Sequence, residues 1–189
     1  MRIVGGKFKG RKLVVPNSQS IRPTADRTRE SLFNIIQHHY SDNLRQGRVL
    51  DVFAGTGALG LEAMSRGAGF CIFMETGAEG RGLLRTNIET FGLTGHTKVF
   101  RRDATKPGPV GTVGQFDMVF ADPPYGKGLG DKALLELATQ GWIKEDAICF
   151  LEENRDNLPN KIDGFSLEDS RQFGQTAIGF FRYQGSRNQ

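Results

Sequence analysis

Five strand-like runs, at 48–53, 69–75, 97–102, 116–121 and 147–153, most of them largely apolar, alternate with segments of helical periodicity near 58–66, 77–91 and 130–140. Runs that are apolar throughout, rather than at every second residue, belong to strands buried on both faces. The strand–helix–strand alternation delivers such strands to a parallel sheet with helices on each side. Two further runs, 165–172 and 176–183, are separated by Gly174-Gln175 and are close enough to pair antiparallel. The expected fold is α/β: a seven-stranded, mostly parallel sheet with an antiparallel last strand. A chain of 189 residues has room for one such domain, not two.

In open sheets of this kind ligands bind at the carboxyl ends of the strands. The first run leads into DVFAGTGALG (51–60), where Gly55, Gly57 and Gly60 let the backbone turn sharply and bring a ligand to the start of the next helix. Glu75 follows 20 residues after Gly55, at the end of the second run, where a carboxylate can take both hydroxyls of a ribose. The dinucleotide site of a dehydrogenase shares that signature. Asp103 and Asp122 separate the two readings, because with Asp51 and Glu75 they put a carboxylate at or near four successive strand ends. An acidic rim suits a cation better than a pyrophosphate. S-adenosylmethionine, with its sulfonium centre between adenosine and an amino acid, has that charge.

The fourth run ends in ADPPYGKG (121–128). Proline cannot donate to a ladder, so the strand stops there, and Pro123 and Pro124 hold Asp122 and Pro123 outside the helical region. Alone, this is either a stiff turn or a site. A rigid carboxylate beside the Tyr125 ring becomes a site when it closes a strand in the acidic rim.

The basicity of the chain is local. Residues 1–30 carry eight basic and two acidic side chains, a net of +6, against 17 basic and 19 acidic over the remaining 159. Such an arm faces phosphates. Residues 3–8 and 11–15 are expected to form a β-hairpin, with Gly10 supplying the positive φ of a two-residue turn. Beyond Pro16, Thr24 or Asp26 is expected to cap a helix reaching about Tyr40, with Arg22, Arg27 and Arg29 crowding its start against the helix dipole. The organisation is then a basic arm and link at 1–23, the main domain at 24–184, and a tail at 185–189.

No apolar run approaches the roughly 18 to 20 residues of a membrane span, and the N-terminus lacks the apolar stretch of a secretory signal, which points to a cytoplasmic protein. Cys71 and Cys149 lie in separate apolar runs without CxxC spacing, so core thiols and no metal are expected.

DVFAGTG with Glu75, Asp103 and DPPY (122–125) resembles the successive motifs of class I, Rossmann-like S-adenosylmethionine-dependent methyltransferases acting on exocyclic nitrogens. More narrowly, RPTADRTRESLFN (22–34) with the basic segment before it resembles the RsmD-type methyltransferases, which act on guanine N2 in bacterial 16S ribosomal RNA. The likeness spans residues 1 to about 183. DPPY alone is shared with DNA adenine methyltransferases and, as NPPY, with protein glutamine methyltransferases; the N-terminal motif is the specific part. A non-catalytic RNA-binding module on the same scaffold is a further alternative. The resemblance implies that Gly55 and Gly57 line the methionine half of the cofactor, Glu75 binds the ribose and Asp103 the adenine amine, with Asp51, Phe53 and Ala104 around them. It implies that Asp122 and the Pro123 carbonyl face the target base while Tyr125 stacks on it. Lys7, Lys9, Arg11, Lys12, Arg22 and Arg27 are the expected RNA contacts, the partner is 16S rRNA or the 30S subunit, and the enzyme is a monomer. One departure is the glycine-rich start of the helix after Glu75 (Gly77, Gly80, Gly82), where each helical glycine costs about 1 kcal/mol relative to alanine.

Overall fold

The computed structural model describes residues 1–16 and 23–185. Its centre is one seven-stranded sheet in the order β3-β2-β1-β4-β5-β7-β6. Strands β1 (Arg48–Val52), β2 (Phe70–Met74), β3 (Thr97–Phe100), β4 (Phe116–Ala121) and β5 (Ile143–Asn154) run parallel; β7 (Thr176–Tyr183) is antiparallel to both β5 and β6 (Phe165–Phe173). The final hairpin thus inserts its second strand, rather than its first, beside β5. From β1 the chain builds outward through β2 and β3, then returns to place β4 on the other side of β1. That reversal opens a crevice at the carboxyl ends of β1 and β4. The last registered pair there is Val52 with Ala121, immediately before Phe53 and Asp122.

Alternate strand residues feed two cores. On one face Val49, Phe73, Phe120, Phe150 and Phe180 pack under α1 (Pro23–His39), α3 (Ala58–Ser65) and α4 (Ala78–Thr90); on the other Leu50, Ile72, Val119 and Leu151 meet α5 (Leu129–Thr139) and Trp142. Burial on both faces is why the central strands β1, β2, β4 and the second half of β5 read as largely apolar, whereas the edge strand β3 does not. Cys71 and Cys149 are buried free thiols.

Three local expectations are corrected. Helix α1 begins at Pro23, so Thr24 and Asp26 lie in its first turn rather than capping it; proline suits the first helical position because its absent N–H would be unpaired there anyway. A short α2 (Ser41–Leu44) follows it. Strand β5 starts at Ile143, four residues early, because its exposed Lys144, Glu145 and Asp146 hide it from an apolar scan, and the ladder with β4 shifts register across this stretch, where Asp146 has φ 64°. The N-terminal arm folds back on itself, but not as a two-residue hairpin. Its antiparallel contact is one bridge, Arg2 with Lys12, closed through a 3-10 turn at Gly6–Phe8 and with Gly10 at φ 86°. The reason is tertiary: the Phe8 N–H donates to Ser65 Oγ at 2.9 Å, and Ile3, Phe8 and Leu13 enter the core shared by α1, α3 and α4.

Candidate active site

The strand ends bring the rim residues together. A cavity of about 560 Å³ runs from Glu75, Asp103 and Ala104 to Asp122, Pro123 and Tyr125. A second hollow of about 250 Å³, lined by Asp51, Gly55, Thr56, Met1 and Pro16, shares Phe53 and Asp122 as walls with the first. Phe53 turns the chain between them with φ 58°, a conformation strained for a side chain this large, and Gly55 and Gly57 continue the turn at φ 53° and 80°. Gly57 serves packing rather than a cavity wall: a Cβ there would stand 2.3 Å from Leu84 Cδ1.

Each carboxylate of the rim has its own environment. Glu75 accepts from Gly55 N–H at 2.8 Å through Oε2 and from Gly77 N–H at 2.6 Å through Oε1, tying the glycine loop to the start of α4. Each oxygen keeps a lone pair for a ligand hydroxyl. Asp103 takes both Thr105 bonds, from N–H and Oγ1, on Oδ1 at 2.8 Å, which lowers its pKa and leaves Oδ2 open. Asp51 is buried and accepts from Gly60 N–H at 2.8 Å; burial pushes its pKa up to about 8 against that hydrogen bond, with Glu75 adding to the rise.

A carboxyl whose folded pKa lies above its unfolded value holds its proton longer in the native state. Between the ordinary value near 3.8 and about 8, stability is therefore expected to fall as pH rises. Urea midpoints across this range should show a downward component in the wild type that Asp51→Asn lacks; an identical pH slope in the variant would rule it out.

The DPPY loop is held from the neighbouring strand by two residues that sequence reasoning missed. Parallel register pairs Ala121 with Leu151, so Glu152 lies beside Asp122. Tyr125 Oη donates to Glu152 Oε1 at 2.6 Å, and Gly126 N–H donates to Glu153 Oε1 at 2.9 Å. The rule that put carboxylates at four strand ends would have found them at the fifth. Asp122 lines the cavity wall, accessible from it yet surrounded by protein; burial, then Glu152, Asp51 and Glu153, drive its pKa well up. Its carboxylate accepts no hydrogen bond among the described residues. Burial raises Glu152 as well, opposed by the Tyr125 bond. Tyr125 leaves 42% of its surface exposed at the mouth.

The basic residues divide by role. Lys9, Lys12 and Arg27 are exposed and have no side-chain partner among the described residues. Lys7 sits over the Phe8 ring, while Arg11 lies 4.6 Å over the Phe91 ring and donates to the Thr90 carbonyl at 2.5 Å. Arg22 falls outside the described residues. Arg29, expected at a charged helix start, instead turns inward: it is 5% exposed, donates to Asp26 Oδ1 at 2.8 Å and to the Arg2 carbonyl, and stands 3.6 Å from Glu62. Glu62, fully buried, also accepts from Val4 N–H at 2.9 Å and from Arg66 Nε at 2.7 Å. This network joins the arm to α1 and α3.

The sheet order, the glycine turn after β1 and the acidic rim define a Rossmann-like methyltransferase fold. A solved Escherichia coli structure described as methyltransferase yhhF superposes with a TM-score of 0.82 and 32% identity, covering 98% of this chain and 99% of that one. The chain belongs to the RsmD family, the family described as conserved hypothetical protein 95, whose model matches residues 1–182. Ribosomal RNA small subunit methyltransferase D of Escherichia coli is 36% identical over 184 residues, 96% of this chain and 89% of that protein. Its namesake in Haemophilus influenzae is 34% identical over 165 residues, covering 82% of this chain and 80% of that protein.

Proposed function

We propose that the protein transfers a methyl group from S-adenosylmethionine to the exocyclic N2 amine of a guanine in 16S rRNA, acting as a cytoplasmic monomer on naked rRNA or the 30S subunit. The observation that carries this reading is one continuous lining: Glu75, Asp103 and Ala104 share a cavity with Asp122, Pro123 and Tyr125, and Phe53 and Asp122 join it to the smaller cofactor-side hollow at Asp51 and Gly55. The residues present fit the cofactor. Glu75 has lone pairs for the ribose, Asp103 Oδ2 is open to the adenine amine, Ala104 lines the same wall, and Asp51 with the Gly55 turn faces the amino-acid half. Bound S-adenosylmethionine supplies an electrophilic methyl on a cationic sulfur, and a carboxylate rim favours that charge.

The chain's own task is geometric. An exocyclic amine is a weak nucleophile because its lone pair is delocalised into the ring. The Asp122 carboxylate and the Pro123 carbonyl can accept its two N–H bonds and turn the lone pair toward the methyl. Positioning of this kind can contribute about 7 to 11 kcal/mol to lowering the barrier. The attacking nitrogen becomes acidic as its new bond forms, and Asp122, with its raised pKa, takes the proton late. Tyr125, oriented by Glu152, offers a stacking face worth roughly 1 to 3 kcal/mol to an unstacked base.

Labelled S-adenosylmethionine incubated with small subunits, naked rRNA, duplex DNA and protein extract, followed by nucleoside analysis, tests this reading. Label in N2-methylguanine of 16S rRNA is expected; label only in N6-methyladenine or in protein would refute it. Replacing Lys9 and Lys12 by alanine should weaken RNA binding and flatten its logarithmic salt dependence by about 0.7 to 0.9 for each phosphate no longer neutralised. An unchanged slope would make the arm purely structural.

A further inference from the structure

The Asn87 side-chain amide reaches both the basic arm and the cofactor loop. It lies on the inner side of α4, 1% exposed. Its Oδ1 accepts from Val14 N–H at 2.7 Å and its Nδ2 donates to the Val14 carbonyl at 3.0 Å, so one side chain meets both backbone groups of one arm residue. The other hydrogen of Nδ2 goes to the Thr56 carbonyl at 3.0 Å. An amide nitrogen has two hydrogens, and here one is spent on each side of a junction.

The two sides have different tasks. Val14 stands between Lys12 and Pro16, and Pro16 and Met1 line the cofactor-side hollow with Gly55 and Thr56. Thr56 lies between two glycines with positive φ, a stretch of backbone with much freedom to lose. Glu75 holds this loop at the Gly55 N–H; Asn87 holds it at the Thr56 carbonyl. Because Val14 and Thr56 are held by the one amide, a ligand that fixes either segment restrains the other.

We propose that Asn87 is a positioning residue that couples the arm to the cofactor loop, so that RNA on the arm and the cofactor in the rim raise each other's affinity. The proposal rests on the RNA-methylating function argued above. Linkage makes the effect reciprocal, so either ligand can report it.

The test is calorimetry of S-adenosylhomocysteine with the full chain, alone and saturated with small-subunit rRNA, in wild type, Asn87→Ala and Asn87→Asp. In the wild type, RNA is expected to tighten the nucleoside about fivefold or more. In Asn87→Ala that ratio should fall to within about twofold of one. Asn87→Asp keeps the acceptor for Val14 N–H but turns an oxygen toward two carbonyls, and should lose the ratio too. A merely structural asparagine would lower the melting temperature and both affinities while leaving their ratio intact. An intact ratio in either folded variant overturns the coupling, and a wild-type ratio of one overturns it with no variant needed. RNA that binds the wild type no better than duplex DNA does would instead refute the functional reading, and the coupling with it.

Discussion

Asp122→Ala is expected to lower methyl transfer by about 100- to 10,000-fold, the span typical of a lost general base, while S-adenosylhomocysteine affinity changes little. The separation of the two effects follows from position. Asp122 ends β4 on the wall between the two hollows, accepts no protein hydrogen bond among the described residues, and is free to hold an incoming amine. The groups proposed to face the nucleoside, Glu75 and Asp103, follow β2 and β3 and keep their own backbone partners when Asp122 is gone. Its raised pKa adds a pH signature. Transfer should climb with pH as the Asp122 carboxyl loses its proton, because only the anion can take the one proton that the methylated amine gives up. Single-turnover rates and isothermal titration on the same preparation decide the matter; equal loss of rate and nucleoside affinity would place Asp122 in the cofactor site instead.

Glu62→Ala is expected to be the most destabilising single substitution where the arm meets the domain, costing about 3 to 5 kcal/mol. Glu62 is wholly buried between Arg29 and Arg66, whose side chains are 5% and 4% exposed. Removing the carboxylate leaves two buried guanidinium groups short of their counter-charge and the Val4 N–H unpaired. For a chain of this size each kcal/mol lowers the melting temperature by about 2 to 4 °C, so a fall on the order of 10 °C is expected. With the anion gone Arg66 has no carboxylate beside it and Arg29 keeps only Asp26, so adding Arg29→Met and Arg66→Met to Glu62→Leu should recover much of the stability. A triple variant as unstable as the single one would show that the cost lies in packing, not in charge.

These two residues stood very differently in the sequence. Asp122 was legible because proline chemistry ends a strand and holds the residue before it extended, a local effect requiring no fold. Glu62 gave no signal, since a glutamate in a helix is ordinarily solvated; only the arm folding over α3 buries it. Arg29 misled for the same reason, reading as surface charge until α1 turned it toward Glu62. Glu152 and Glu153 were within reach of the strand-end rule but become part of the site only through the β4–β5 register.

By itself the sequence determined the α/β alternation, the glycine turn after the first strand, the carboxylates at four strand ends and the basic N-terminus, all of which depend on periodicity, backbone stereochemistry or local charge. The tertiary structure alone decided that β7 rather than β6 lies against β5, that the arm is a 3-10 turn seated in the core rather than a free hairpin, and that Asn87 bridges Val14 and Thr56 across 73 and 31 residues of chain. Those outcomes come from pairing and burial between segments distant in sequence, where the energy gained depends on the partner met and not on the segment's own pattern.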